Sequence, residues 1–224
     1  FKNKGITELT LPDTLINIGE YAFSENLLTS VTIPDSVLII DDYAFNKNKL
    51  ETFTIGASVS TLGAEILYGN NELSLIEVPA SVTNINISSF LKYAAREVRK
   101  YHLVKVYIDS EVYNFVGENN IPYELFNPET VFTFSDYIYT DGDETLNGIE
   151  ITAYHSMKKN VYFPHEIDGN KILKIGTRAF GKTDKLQIET VKLPFSLKVI
   201  GEKAFIGAAL TEVDFPNNLR KIEK

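Results

Sequence analysis

In residues 28–33 apolar and polar positions alternate, with Val31 and Ile33 on one side and Ser30 and Thr32 on the other. That is the period of a strand with one buried face. Pro34 has no amide proton to give a ladder and closes the strand, and Val37, Ile40, Ala44 and Phe45 then supply an apolar return segment. The same arrangement stands 22 residues upstream, where Leu9, Leu11, Pro12, Leu15, Ile18, Ala22 and Phe23 occupy matching places (Ile18 against Ile40). It recurs downstream as Leu50, Phe53, Ile55, Val59 and Leu62, and again as Leu73, Ile76, Val78, Pro79, Val82, Ile85 and Phe90. One such unit has too few apolar residues to fold alone, so the pattern predicts tandem coils that bury their inner edges against one another.

Past Ser88 the period fails. In residues 88–101, Phe90, Leu91, Ala94, Ala95, Val98 and Tyr101 recur at three- and four-residue spacing, which predicts a helix capped by Ser88 or Ser89. Leu103, Val106 and Ile108 restore the strand pattern beside residues 73–78. Ser110, Val112, Phe115 and Val116 then predict a second short helix, ended near Gly117 and Asn120 with Pro122 beyond. Residues 130–163 read as two strands around the polar stretch DGDETLNG, and a second array follows with Ile175, Gly176, Ala179 and Phe180, then Leu193, Pro194, Leu197, Ile200, Gly201, Ala204 and Phe205. The polar stretches EIDGNK and GKTDKLQ in that array read as surface turns. The expected organisation is a first array with a helical cap over 1–125 and an opening β-hairpin with a second array over 126–224. Phe23, Phe45, Phe180 and Phe205 are expected to stack, and Thr14, Ser36, Ser58, Ser81, Ser196 and Asn218 to line the turn as a row of hydrogen-bonding groups.

Repetition of L-x-x-L-x-L every 20 to 29 residues is the mark of leucine-rich repeats. The joined tail P-x-S-V-x-x-I-G-x-x-A-F is more specific. It stands at residues 34–45 with Asp41 for Gly and at 194–205 with Leu197 for Val, and it resembles the BspA-like leucine-rich repeat proteins of bacterial cell surfaces. The resemblance implies a leucine-rich repeat solenoid, mostly parallel β with short helical turns and right-handed, here with two inserted helices. It also implies an extracellular or cell-surface protein that binds a protein partner, such as a host or matrix protein, in an adhesion-type role without catalysis. A structural spacer and a carbohydrate-binding repeat domain are the alternatives. Phe1 and Ile6 fall in the places of Phe45 and Leu50, so both ends cut the pattern mid-unit and further repeats are expected on at least one side.

Composition removes several classes of function. A net charge of −8 opposes nucleic acid, the absence of cysteine rules out disulfides and thiolate metal sites, and no apolar run reaches the ~18 residues of a membrane helix. His102, His155 and His165 lack metal-ligand spacing, and no G-x-S-x-G elbow accompanies a serine. Asp141, Asp143, Thr145 and Asn147 alternate as calcium ligands would, but Leu146 and Thr152 stand where glycine and a bidentate glutamate belong, so a solvated turn is the better reading. No cofactor or metal is expected. The outward strand positions are the natural binding surface of a solenoid, and Thr10, Thr32, Thr54, Lys105, Tyr107, Tyr162 and Lys192 are the candidates on it. Its aromatic and basic members cluster toward the junction of the two arrays, where an anchor point is expected, and a glycan is the second possible ligand.

Overall fold

The computed structural model describes residues 1–95, 98–164, 166–181 and 188–224, and the side chains of 93–100 are left out of the description. The chain forms two compact units, 1–123 and 124–224.

In the first unit the second, third and fourth coils each contribute a front and a rear strand, and the first coil only a rear one. The front strands Ser30–Thr32 and Thr52–Thr54 pair in parallel, and Leu75–Glu77, Leu103–Val106 and Tyr123–Leu125 form a further three-stranded sheet. The rear strands Asn17–Ile18, Ile39–Ile40, Thr61–Leu62 and Asn84–Ile85 stack into a second parallel ladder, pairing Ile18 with Ile40 and Ile40 with Leu62. The inward residues of both ladders, Val31, Phe53, Ile76 and Val104 in front and Ile18, Ile40 and Leu62 behind, are buried. Burial of each contributes about 1.5–3 kcal/mol before conformational entropy is subtracted.

The aromatic stack is present within each unit. Phe23 and Phe45 lie 5.4 Å apart with their rings at 15°, and Phe180 and Phe205 lie 4.8 Å apart at 27°. Ser36, Ser81 and Ser196 donate to the carbonyls of Leu15, Val59 and Ile172 one coil back, at 2.7, 2.7 and 2.8 Å, whereas Thr14 and Ser58 are exposed.

A stronger polar row, which the hydrophobic pattern does not mark, carries the coils. Asn26, Asn48 and Asn70 are buried three residues after Phe23, Phe45 and Leu67. Asn48 Nδ2 donates to Phe23 O and Phe45 O, both at 2.9 Å, while its Oδ1 accepts from Leu28 N at 3.1 Å. Asn70 repeats the pattern with Phe45 O, Leu67 O and Leu50 N. Around these amides the backbone turns left-handed twice per coil, at Tyr21, Tyr43 and Glu65 (φ 54°, 59° and 50°) and at Glu25 and Lys47 (φ 57° and 52°). That conformation is unfavourable for side chains with a Cβ. It aims each amide at the next coil: Tyr21 N donates to Asp42 O, Tyr43 N to Ala64 O, Glu25 N to Asn46 O and Lys47 N to Tyr68 O. The glycine of the I-G step has a different cause. A Cβ on Gly63 would stand 2.5 Å from Asp42 N, and one on Gly201 2.7 Å from Thr177 N, so the preceding coil's backbone leaves no room for one.

Two expectations are corrected. The segment expected to be a helix over 88–101 is an antiparallel strand pair, Leu91–Ala95 with Val98–Tyr101. Ser89, expected to cap that helix, belongs to the repeat: its Oγ lies 3.1 Å from Leu62 O and 2.8 Å from Gly63 O and accepts from Asn86 N. The chain therefore leaves Phe90 in solenoid geometry, and a short apolar run without a free cap follows that geometry over its own helical spacing. Among the described residues the one α-helix is Glu111–Glu118, with Ser110 accepting from Tyr113 N as its N-cap. Beyond that helix Tyr123–Leu125, a strand that the repeat pattern does not mark, adds to the sheet of Leu75–Glu77 and Leu103–Val106.

The second unit opens with a long hairpin, Phe132–Asp141 against Glu144–Tyr154, turning at Gly142 (φ 58°) and Asp143. The polar stretch expected to be loop is therefore mostly strand, and the turn is two residues long. Glu144–Tyr154 pairs in parallel with Asn170–Ile175, which continues through Val199–Ile200 to Lys221–Ile222. Phe132–Asp141 is the outermost strand of this sheet, and Ser135, Asp136, Ile138, Thr140 and Asp141 on it are exposed. Gly148 sets the close approach of hairpin and sheet, because a Cβ there would lie 2.8 Å from Leu173 Cγ. The EIDGNK turn is a tight hairpin in which Glu166–Ile167 pairs with Asn170–Lys171 around Asp168 and Gly169, both at positive φ. Most of the GKTDKLQ turn lies outside the described residues. The front strands here are Asn160–Tyr162, Thr190–Lys192 and Glu212–Asp214, paired in parallel.

Removing the Asn48 amide takes away three buried hydrogen bonds: Leu28 N loses its acceptor, and Phe23 O and Phe45 O each lose one of two amide donors, keeping those of Asn26 and Asn70. Asn48→Ala is expected to cost about 3 kcal/mol or more, against about 0.5 kcal/mol or less for exposed Thr32→Ala. Urea unfolding of both variants measures the difference, and equal midpoints would contradict the role given to the amide row.

Candidate interaction surface

The outward residues of the front strands are fixed by the strand period, because each inward Val or Phe turns both neighbours to the other face. In the first unit parallel register aligns these neighbours into rows. Ser30 lies beside Thr52 and Thr32 beside Thr54, all exposed, and Leu75 lies beside Leu103 and Glu77 beside Lys105. Of the residues singled out in sequence, Thr32 and Thr54 are adjacent in one row. Thr10 is exposed on a segment that is not a regular strand, and its coil leaves Ile6, Leu9, Leu11 and Leu15 only half-buried around a groove of about 550 Å³. Lys105 Nζ is 3.9 Å from Glu77 Oε1. Tyr107 follows the strand, is 42% exposed, and its carbonyl accepts from Ser110 Oγ at 2.6 Å.

The second unit brings Tyr162 and Lys192 together, with Asp214 next in the same row. Lys192 Nζ sits 5.8 Å from the centre of the Tyr162 ring. Tyr162 departs from the expectation of an exposed aromatic: it is 4% exposed and buried. Alternation assigned it to solvent, but alternation fixes only the face of the sheet on which a side chain stands, and what covers that face is set by residues distant in sequence.

Aromatic surface is found instead on the turns, which a search of strand positions misses. Tyr21 and Tyr43, the left-handed residues of successive coils, stack 4.8 Å apart at 5°. Lys2 Nζ lies 4.5 Å above the Tyr21 ring, and Glu25 bridges Lys2 and Lys47 at 3.4 and 3.6 Å. The Glu65 carboxylate pushes the Tyr43 hydroxyl above the ordinary tyrosine range. The available signal is the Tyr two residues after the I-G or I-D step in consecutive copies.

The candidates for chemistry are separated. His102 is 1% exposed, with Nδ1 3.1 Å from Leu73 O, and burial holds its imidazole below the ordinary histidine value. His155 Nε2 is 2.7 Å from Thr133 Oγ1 on the surface, and His165 lies outside the described residues. Asp141, Thr145 and Asn147 are committed to the hairpin ladder, opposite Glu144, Thr140 and Ile138, and Asp141 Oδ2 accepts from the Tyr139 hydroxyl at 3.2 Å. No group of three or more His, Cys, Asp or Glu side chains among the described residues is placed to hold a metal ion. No helix among the described residues is long and apolar enough to cross a membrane.

The model of the BspA type leucine rich repeat region matches residues 1–116 and 159–224 in six copies. Among solved structures, a leucine-rich repeat protein from Bacteroides ovatus is similar at 19% identity over 97% of this chain and 63% of its own, with a TM-score of 0.34. A leucine rich cell surface protein from Faecalibacterium prausnitzii is 21% identical over 92% of this chain and 52% of its own, with a TM-score of 0.32. The pneumococcal vaccine antigen PcpA is 17% identical over 96% of this chain and 60% of its own, with a TM-score of 0.27. The chain thus spans between about half and two thirds of these proteins. No curated protein matches it.

His102 gives stability a defined pH dependence. Its folded-state pKa lies below the unfolded value of 6.5, so the unfolded chain binds the extra proton first. The contribution is intact above that value and is lost as pH falls from it toward the folded pKa. Unfolding midpoints measured between about pH 7 and pH 5 should therefore fall on acidification, and His102→Gln should flatten that part of the curve. An unchanged slope in the variant would contradict the assignment.

Proposed function

Because the chain belongs to the BspA-type leucine-rich repeat family, we propose that it is a non-catalytic interaction module of a bacterial surface or secreted protein, in an adhesion-type role. The observation that carries this reading is the front face of the first unit, where Ser30, Thr32, Thr52 and Thr54 stand exposed and in register on strands whose other face is locked into the core. A rigid sheet with short hydroxylated side chains loses little side-chain entropy when a partner covers it. The partner proposed is a host or matrix protein, with Thr10, Lys105 and Tyr107 extending the contact on the first unit and Lys192 offering a contact of its own on the second. Residues 1–125 and 126–224 are proposed to act as two arrays of a right-handed solenoid. The tyrosines of the turns, Tyr21 and Tyr43, are a second contact region, since stacked aromatic rings offer large area at small entropic cost.

Biosensor titration against immobilised extracellular-matrix proteins tests the reading, together with impermeant labelling of intact cells for location. Saturable binding that Thr32→Arg with Thr54→Arg weakens by about tenfold, at unchanged melting temperature, is the expected result. Labelling confined to lysed cells, or binding indifferent to the two arginines, would contradict it.

A further inference from the structure

The second unit holds a groove of about 460 Å³ between its hairpin and the turns of its repeats, within the ~300–1,000 Å³ of small-molecule sites. One wall is the hairpin strand bearing Glu144 and Asn147, and the other carries Lys171, Phe195, Lys198 and Asn218. These groups divide into those already committed and those left for a ligand. Lys198 is 8% exposed, with its Nζ 3.5 Å from Glu144 Oε1 and 5.6 Å from the centre of the Tyr139 ring. It is a structural charge neutralised in place. Asn218 Nδ2 donates to Phe195 O at 3.2 Å, which ties down the backbone of Phe195 and leaves the amide oxygen.

What remains is a small set of open groups. The Phe195 side chain is 64% exposed on a backbone held at two points, by Asn218 and by Ser196 Oγ, which donates to Ile172 O. Lys171 is exposed and forms no ion pair among the described residues, although Glu166 is its neighbour across the tight hairpin. Asn147 is exposed beside it in the groove. The groove thus presents one aromatic face, one uncompensated positive charge and amide groups that both donate and accept, in a chain of net charge −8.

We propose that this groove binds a saccharide that carries a carboxylate. Phe195 takes the apolar face of a sugar ring, Lys171 the carboxylate, and Asn147 and Asn218 the hydroxyls. A single free lysine suits one charge on a mostly neutral, hydroxyl-rich ligand. An acidic peptide would bring several carboxylates to a groove with one cation to offer, since Lys198 is already matched by Glu144. The site is separate from the front face of the first unit and does not depend on the adhesion reading.

Calorimetric titration of the intact protein with a hyaluronan disaccharide, which carries one carboxylate, tests the proposal, with neutral chitobiose and a hexaglutamate peptide as comparisons. Saturable binding of the hyaluronan fragment is expected, at least about tenfold tighter than either comparison. Phe195→Ala and Lys171→Gln should each weaken it by about tenfold or more, and Lys49→Gln on the other unit should leave it unchanged. Both groove side chains are exposed, so melting temperatures serve as the folding control, and Phe195→Tyr should restore the affinity that Phe195→Ala removes. No saturable binding, equal binding of chitobiose, tighter binding of hexaglutamate, or indifference to the two groove substitutions would each overturn the proposal.

Discussion

Each coil of this protein is completed by the next through hydrogen bonds that a coil cannot make with itself. Outside the short strands the backbone consists of turns, and a buried turn leaves amides and carbonyls that cost about 1–3 kcal/mol each when unpaired. The left-handed residues and the Asn26, Asn48 and Asn70 amides convert those orphan groups into links across the stack. Hydrophobic burial drives the coils together, but it is indifferent to register. The amide row is not, because an Asn displaced by one residue would meet a side chain in place of a carbonyl.

Among the copies the apolar positions vary freely, whereas the glycine position varies only where the neighbouring coil leaves room, as at Asp41. Leu67 stands in the place of Phe23 and Phe45 and is still fully buried, since bulk suffices there. Gly63 and Gly201 have no such latitude, because the neighbouring coil's backbone occupies the space of a side chain. The hairpin that opens the second unit obeys the same rule through Gly148, which lets a strand of different origin join the parallel ladder.

Alternation of Val31, Ile33 and Phe53 with polar neighbours made the front strands legible, and the spacing of Phe23 from Phe45 made the ring stack legible, because burial of bulk is what a hydrophobic pattern records. The amide row was not legible in the same way: Asn26, Asn48 and Asn70 are polar residues in polar stretches, and only their common offset from the buried residue three places earlier distinguishes them. Residues 88–101 misled because their apolar spacing fits a helix, while the solenoid geometry at Phe90 decided the outcome. For the candidate surface, Thr32 and Thr54 followed from the period alone. Tyr162 did not, since alternation sets the face of a side chain and not its burial, and the groove around Phe195 joins residues separated by most of a unit, a juxtaposition that no local pattern contains.

The outermost strand of the hairpin sheet has no further strand beside it among the described residues, and such an edge is the usual starting point for aggregation. Its exposed Ile138 is flanked by Asp136 and Asp141, so a second copy approaching to extend the sheet would bring carboxylates against carboxylates. Molecules crowded at high local density would therefore repel along this border and stay individually dispersed, keeping their broad faces open to other partners.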